Sequence, residues 1–213
     1  MRRGIAISAV AVALTVAAAS VSPAAASPRL VRGSNGLTVQ IVSVNGSGCP
    51  RGTVMAAVRE DKGAFVVGYS QFMAQAGGSS RPMDSRKWCQ VALKVGGVPK
   101  GFTYAIASTD HYGFASLEDG ANATHEAAAF FSGQPGHVTT THSLNGAFNH
   151  TWSFTDLTPP SQLVYKPCDE EPNLNIDTDV RVDKGTSDPS KVSFISVGDE
   201  LQTTYYVTWK ICP

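Results

Sequence analysis

Histidine is the residue type in this sequence with the widest chemical range, because a neutral imidazole binds metal ions and exchanges protons near neutral pH. Residues 144–147 contain Asn-Gly, the signature of a two-residue hairpin turn. In that hairpin His142 and His150 lie on opposite faces, and His137 lies about two residue pairs away from His150. Only a β-bulge would bring these side chains together. The sequence therefore predicts separate histidines, including His125, in surface or cross-strand positions, and no metal site.

Carboxylates recur at every second position near residue 177. Asn175, Asp177 and Asp179 form an outward polar row if this segment is a strand. Oxygen ligands of this kind suit Ca²⁺, with help from Asp169 or Glu170. The alternative is a solvated sheet face whose carboxylates discourage edge pairing. Both interpretations remain open, and the second is favoured.

The sequence contains no GxSxG turn of the kind that presents a catalytic serine. Glycoside hydrolysis needs two carboxylates about 5–9 Å apart across a cleft. Asp110, Glu118, Asp119 and Glu126 are available for it, but their spacing selects no pair. We therefore assign no catalytic residue and expect neither a cofactor nor a catalytic activity.

Aromatic side chains are the remaining candidates for ligand contact. Those considered are Tyr69, Phe72, Trp88, Tyr112, Phe130, Phe131, Tyr165 and Tyr206. Most aromatics at strand positions belong to a core. His111 and Tyr112, beside an expected turn at Asp110, and Tyr206, on the polar side of the last strand, are expected to be exposed and to be binding residues.

The first 26 residues have the order of a secretory signal peptide. Arg2 and Arg3 precede an apolar run from Ile5 to Ala19, and residues 24–26 are three alanines that suit a signal peptidase. The run of ~15 residues is shorter than the ~20 that span a bilayer, and no later segment is a transmembrane candidate. We expect cleavage after Ala26, a flexible mature N-terminus over 27–36, one domain over 37–213, and a secreted, extracellular protein.

Four cysteines in an exported chain indicate two disulfides, with three possible connectivities. The cysteines are Cys49, Cys89, Cys168 and Cys212, and no two have the close spacing of a zinc site. Two lie in the N-terminal half and two near the C-terminus. That grouping favours Cys49–Cys89 and Cys168–Cys212.

Strand patterns recur along the chain, whereas helical periodicity is nearly absent. Leu174, Ile176, Thr178, Val180 and Val182 alternate with polar residues, as in an antiparallel sheet with one buried and one wet face. Tyr205, Val207 and Trp209 repeat the alternation. About ten short strands separated by Gly, Pro and Asn turns predict an all-β, antiparallel, jelly-roll-like β-sandwich held by two disulfides.

Several motifs resemble one family. They are Cys49-Pro50-x-Gly52-Thr53-Val54, Cys89-Gln90-Val91, Pro99-x-Gly101-Phe102-Thr103-Tyr104-Ala105-Ile106, Tyr112-Gly113-Phe114-Ala115-x-Leu117, Pro167-Cys168, Leu174-Asn175-Ile176 and Thr208-Trp209-x-x-Cys212. The chain is similar, over roughly 49–212, to the small secreted bacterial and fungal proteins of domain of unknown function 4360. The resemblance implies an exported β domain and supplies no catalytic residue.

The sequence limits the possible functions mainly because it lacks an excess of basic residues and a recognisable catalytic motif. The chain carries 17 Lys and Arg against 17 Asp and Glu, so nothing favours nucleic acid as a partner. The leading hypothesis is a monomeric binding or interaction protein at the cell surface or in the medium, with an extracellular glycan or protein as partner. The alternatives are a secreted polysaccharide hydrolase or lyase, and a membrane-active or inhibitory protein.

Overall fold

A computed structural model describes residues 31–32, 36–59, 63–198 and 202–213. These residues form thirteen strands and two 3-10 turns, and they contain no α-helix. The strands are β1 (Val31–Arg32), β2 (Thr38–Asn45), β3 (Val54–Arg59), β4 (Ala64–Tyr69), β5 (Phe72–Gly77), β6 (Arg86–Gly96), β7 (Phe102–Leu117), β8 (Asn122–Phe131), β9 (Val138–Asn145), β10 (Phe148–Leu157), β11 (Leu174–Asp183), β12 (Val192–Val197) and β13 (Thr203–Ile211). The signal peptide expected over 1–26 lies outside the described residues.

The strands form two antiparallel sheets around one core, which confirms the all-β sandwich. One sheet has the order β1-β2-β6-β11-β8-β9, and the other has the order β3-β4-β13-β7-β12-β5. Strand β10 pairs with β7 on the edge opposite β12 and β13. The apolar faces of both sheets pack against each other, with Phe65, Tyr104 and Ile176 among the fully buried side chains.

Strand β11 shows how the alternating pattern determines the packing. Leu174, Ile176, Thr178, Val180 and Val182 are all buried between the sheets, as the sequence predicts. Their polar neighbours point to the outer face of the six-stranded sheet. Because β11 is central in that sheet, between β6 and β8, its outer residues lie on the floor of that face.

The hairpin predicted around Asn145-Gly146 is wrong. Strand β9 pairs with β8 in one sheet, whereas β10 pairs with β7 in the other, and β9 and β10 form no ladder. The turn therefore carries the chain from one sheet to the other at the edge of the sandwich. In consequence His142 on β9 and Asp156 on β10 both point inward, towards each other.

The two disulfides are Cys49–Cys89 and Cys168–Cys212, the pairs that the sequence favours. The first joins the segment after β2 to β6, and the second joins the segment before β11 to the residue that follows β13. In the chain-entropy model each loop closure stabilises the fold by roughly 4 kcal/mol.

None of the helical residues that the structure describes forms a span long and apolar enough to cross a membrane.

Candidate functional site

A groove of about 360 Å³ lies on the outer face of the six-stranded sheet. We call it the outer groove. Its main lining residues are Arg86, Trp88, Gln90, Glu126, Ala128, Phe130, His137, Thr139, Asp177 and Asp179. They come from β6, β11 and β8, with the far wall supplied by β9 and the segment before it. The outer groove therefore runs across four neighbouring strands.

Strand register fixes the positions of the groove residues. Asp177 lies between Gln90 on β6 and Ala128 on β8, and the small Ala128 leaves space beside it. One step along the strands, Asp179 lies between Trp88 and Glu126. Residues opposite each other in a sheet have Cβ atoms about 5 Å apart, and the backbones of diagonal neighbours are about 7–8 Å apart. Trp88, Asp177 and Glu126 are thus within the span of one or two small ring-shaped ligands.

Asp179 differs from the expected exposed carboxylate, because only 9% of its surface is exposed. The Nε of Arg86 donates to one carboxylate oxygen at 2.7 Å, and the Nε of Arg181 donates to the other at 2.8 Å. The two long side chains cover the carboxylate while remaining largely exposed themselves. Hydrogen bonding and charge from Asp179 raise the pKa of Arg181. Asp179 is therefore an ion-paired residue of the groove.

The other members of the predicted calcium row do not join Asp179. The side-chain amide of Asn175 donates to the hydroxyl of Ser132 at 2.9 Å. Asp177 has one carboxylate oxygen that is buried and has no hydrogen-bond partner. Within the described ranges, no group of three or more His, Cys, Asp or Glu side chains has an arrangement that could hold a metal ion. In this row Asn175 and Asp179 are hydrogen-bonded to neighbouring side chains, whereas one carboxylate oxygen of Asp177 is buried without a partner.

Aromatic surface completes the outer groove. Trp88 is 44% exposed and lies on β6, inside the six-stranded sheet rather than at its edge. Phe130 is half-buried, and its ring lies 5.7 Å from the ring of His137. Both aromatics were among the sequence candidates, but only the strand register shows that they share a face with Asp177. This combination was the part of the site that sequence reasoning missed.

Three histidines converge inside the sandwich, contrary to the prediction that they lie apart, although His125 and His142 do occupy opposite cross-strand positions. His111 on β7 and His142 on β9 lie on opposite sides of Asp156, with Nε2 to carboxylate distances of 3.1 and 2.7 Å. His125 on β8 is fully buried beside them, 4.7 Å from His111 and 6.4 Å from His142 between ring centroids. We call these four residues the histidine–aspartate cluster. It exists because β9 and β10 belong to different sheets.

His111 is therefore not the exposed binding residue that the sequence predicts. The turn expected at Asp110 is absent, since β7 continues without interruption from Phe102 to Leu117. In this strand His111 points inward and is only 2% exposed. Tyr112 and Tyr206 point to the opposite, outer face of the seven-stranded sheet and are half-buried. The hydroxyl of Tyr206 donates to Asp110 at 3.0 Å.

Electrostatics keep the histidine–aspartate cluster ionised at Asp156 and neutral at His125. Burial alone raises the pKa of Asp156, but hydrogen bonds from His111, Thr140 and His142 outweigh it and hold the pKa below its ordinary value. Burial, with a smaller contribution from His111 and His142, lowers the pKa of His125 from 6.5 to about 3. Both ring nitrogens of His125 are without a hydrogen-bond partner.

A second cavity, of about 60 Å³, reaches the histidine–aspartate cluster between the two sheets. His111, Thr140 and Asp156 line it together with apolar residues of β8. Tyr205 also lines this cavity, and its buried hydroxyl has no hydrogen-bond partner among the described residues. The volume suits a few water molecules, which buried polar groups of this kind usually bind. The cavity is too small for a saccharide or a peptide.

The chain matches a protein-family model described as "Domain of unknown function (DUF4360)" over residues 35–212. This chain therefore belongs to that family. It is also similar to a protein of Arthroderma benhamiae described as "Uncharacterized secreted protein". The two are 29% identical over 175 residues, which cover 80% of this chain and 70% of that protein.

Proposed function

We propose that this member of the domain of unknown function 4360 family is a binding protein that holds a saccharide chain in its outer groove. The protein is secreted, as its relative is described to be and as its two disulfides fit. The observation that carries the proposal is the exposed Trp88 beside the half-buried carboxylate of Asp177, both of which line an open groove. Extracellular glycans are the partners that such a surface fits.

The chemistry of the outer groove matches the two sides of a sugar. A sugar ring has an apolar face of C–H groups, which an exposed indole such as Trp88 can cover. Its hydroxyls are donors, and the carboxylate of Asp177, which lines the groove, is an acceptor. The groove crosses several strands and is open to solvent, so a polymer could lie along it without threading its ends.

A second candidate function rests on one pair of carboxylates. Asp177 and Glu126 are diagonal neighbours on β11 and β8, because Asp177 pairs with Ala128 and Asp179 pairs with Glu126. Diagonal neighbours are about 7–8 Å apart at the backbone, so their side chains can reach the carboxyl–carboxyl separation of roughly 6.5–9.5 Å that inverting glycoside hydrolases use. The rival function is therefore hydrolysis of the same saccharide, with these two side chains as acid and base.

One set of variants tests both functions. The purified secreted protein is mixed with insoluble cellulose, chitin, polyglucosamine and mixed β-glucan, and the bound fraction and the released reducing ends are measured. Binding requires Trp88, so Trp88→Ala should lower the affinity about tenfold or more. Phe102→Ala is the matched control, because Phe102 is similarly exposed but lies on the other sheet.

Reducing ends that appear with the wild type and vanish with Glu126→Gln would establish the hydrolase and replace the binding function. Retention on none of the polysaccharides, or equal retention of Trp88→Ala and the wild type, would refute a saccharide site in the outer groove. Binding without product release would support the non-catalytic function.

A further inference from the structure

We infer that the outer groove selects saccharides that carry protonated amino groups, for which polyglucosamine is the simplest chemical class. This inference rests on the saccharide-binding function proposed above and specifies the ligand. It follows from the charges in the groove and from which of them already have partners.

The two arginines at the outer groove, Arg86 and Arg181, both form ion pairs with the same carboxylate, that of Asp179. Arg86 and Arg181 both donate to Asp179, at 2.7 and 2.8 Å, so their Nε atoms point into the sheet face. Glu126 also raises the pKa of Arg181 through its charge. Both guanidiniums are paired with Asp179, and the exposed Glu126 adds a second negative charge to the lining, so the groove offers little net positive charge to an acidic sugar.

Asp177 is the carboxylate that remains without a partner. It lines the groove, is half-buried, and forms no ion pair with a described residue, unlike Asp179 one step along the strand. Its neighbours across the ladders are Gln90 and Ala128, neither of which is a cation. The described lining has three carboxylates, one arginine and one histidine, His137, on the far wall. With Arg181 beside it, this face has two guanidiniums against three carboxylates, a net charge of −1 when His137 is counted as neutral.

Position favours an amino group over a hydroxyl. Asp177 is a diagonal neighbour of Trp88, so a sugar stacked on the indole would present its ring substituents to the carboxylate. A protonated amine makes a charge-assisted hydrogen bond that is roughly twice as strong as one from a neutral donor. An acetylated amine brings no charge and more bulk to the same place. Selectivity for free amino sugars follows.

The test compares three soluble hexamers that differ in one substituent: glucosamine, N-acetylglucosamine and glucose. Affinities are measured by calorimetry with the full secreted protein at about pH 6, where sugar amino groups are largely protonated. The glucosamine hexamer should bind about tenfold more tightly than the other two. At about pH 8 its advantage should shrink to about twofold, because the amino groups lose their protons.

Variants assign the selectivity to one carboxylate. Asp177→Asn keeps the shape and removes the charge, so it should lower the affinity for the glucosamine hexamer about tenfold and change the other two less than twofold. Asp119→Asn is the control for net charge, since Asp119 is an exposed turn residue outside the groove and its substitution should change nothing. Thermal melts of each variant check that the fold is retained.

Two results separate failure of this inference from failure of the saccharide function. If all three hexamers bind equally and Asp177→Asn affects them alike, the groove binds sugars but does not select amines, and the inference is wrong. If no hexamer binds and Trp88→Ala changes nothing, the saccharide function itself is wrong. A drop caused equally by Asp119→Asn would also overturn the assignment, because it would reflect net charge alone.

Discussion

Burial of neutral His125 should make this protein sensitive to mild acid. In the folded chain its pKa is lowered from 6.5 to about 3, first by burial and then by His111 and His142. Between those two values the unfolded chain binds a proton at this residue and the folded chain does not. Stability contributed by the neutral imidazole is therefore full above about pH 6.5 and falls as the pH decreases towards 3.

The size of the effect can be worked out at a moderate pH. At about pH 5 the solution lies 1.5 units below the ordinary pKa of 6.5, and each unit corresponds to 1.36 kcal/mol. His125 should then cost the folded state about 2 kcal/mol relative to about pH 7.5. Asp156, whose pKa is also lowered, titrates in the unfolded chain near 3.8, so it contributes little above about pH 5.

Urea unfolding followed by tryptophan fluorescence gives the free energy of unfolding at the two pH values. His125→Phe removes the titrating group and its two unpartnered nitrogens, so its loss of stability between about pH 7.5 and 5 should be about 2 kcal/mol smaller than that of the wild type. His150→Phe is the matched control, because His150 is exposed. It should keep the pH dependence of the wild type. Equal losses for the wild type and His125→Phe would show that His125 is not held neutral by burial.

Further predictions concern stability and processing. Asp156→Ala leaves His111, His142 and Thr140 without their shared acceptor and should cost about 2–4 kcal/mol in denaturant melts; a change below about 0.5 kcal/mol would contradict the cluster. Ile176→Ala should cost about 2–5 kcal/mol, since the side chain is fully buried in the core, and a smaller loss would mean that β11 packs loosely. N-terminal sequencing of the secreted protein should begin at or within a few residues of Ser27, and an intact leader on that protein would contradict cleavage after Ala26.

Local sequence patterns predicted where the strands lie better than they predicted which strands pair with each other. The alternation in Leu174–Asp183 is visible in the sequence because a strand with one buried face repeats every two residues. The Asn-Gly motif near residue 145 predicted only that the chain reverses its direction there. It carries no information on whether the two flanking strands pair with each other or with strands of opposite sheets. That choice depends on β7 and β8, and it decides which histidines meet.

Burial of polar residues was the other property that the sequence could not supply. Asp179 has the position of an outward residue, and the expectation of exposure was reasonable for a sheet face. It is covered because Arg86, 93 residues earlier in the chain, reaches it from the neighbouring strand. Likewise, Trp88 and Asp177 form one surface only through the register of β6 with β11. Contacts between residues this far apart in the sequence cannot be recognised from the spacing of residue types.

Strand β13 lies between β4 and β7, although it follows every other described strand in the chain. A polypeptide that emerges from an export channel with its N-terminus first presents the ribbons β3–β4 and β5–β12–β7 before the strand that joins them. Until then the facing edges of β4 and β7 expose unpaired backbone groups, which are templates for association between chains. The Cys168–Cys212 crosslink also waits for that last segment. Chains stalled before residue 203 during translocation should therefore aggregate, whereas completed chains close the sheet and hide both edges.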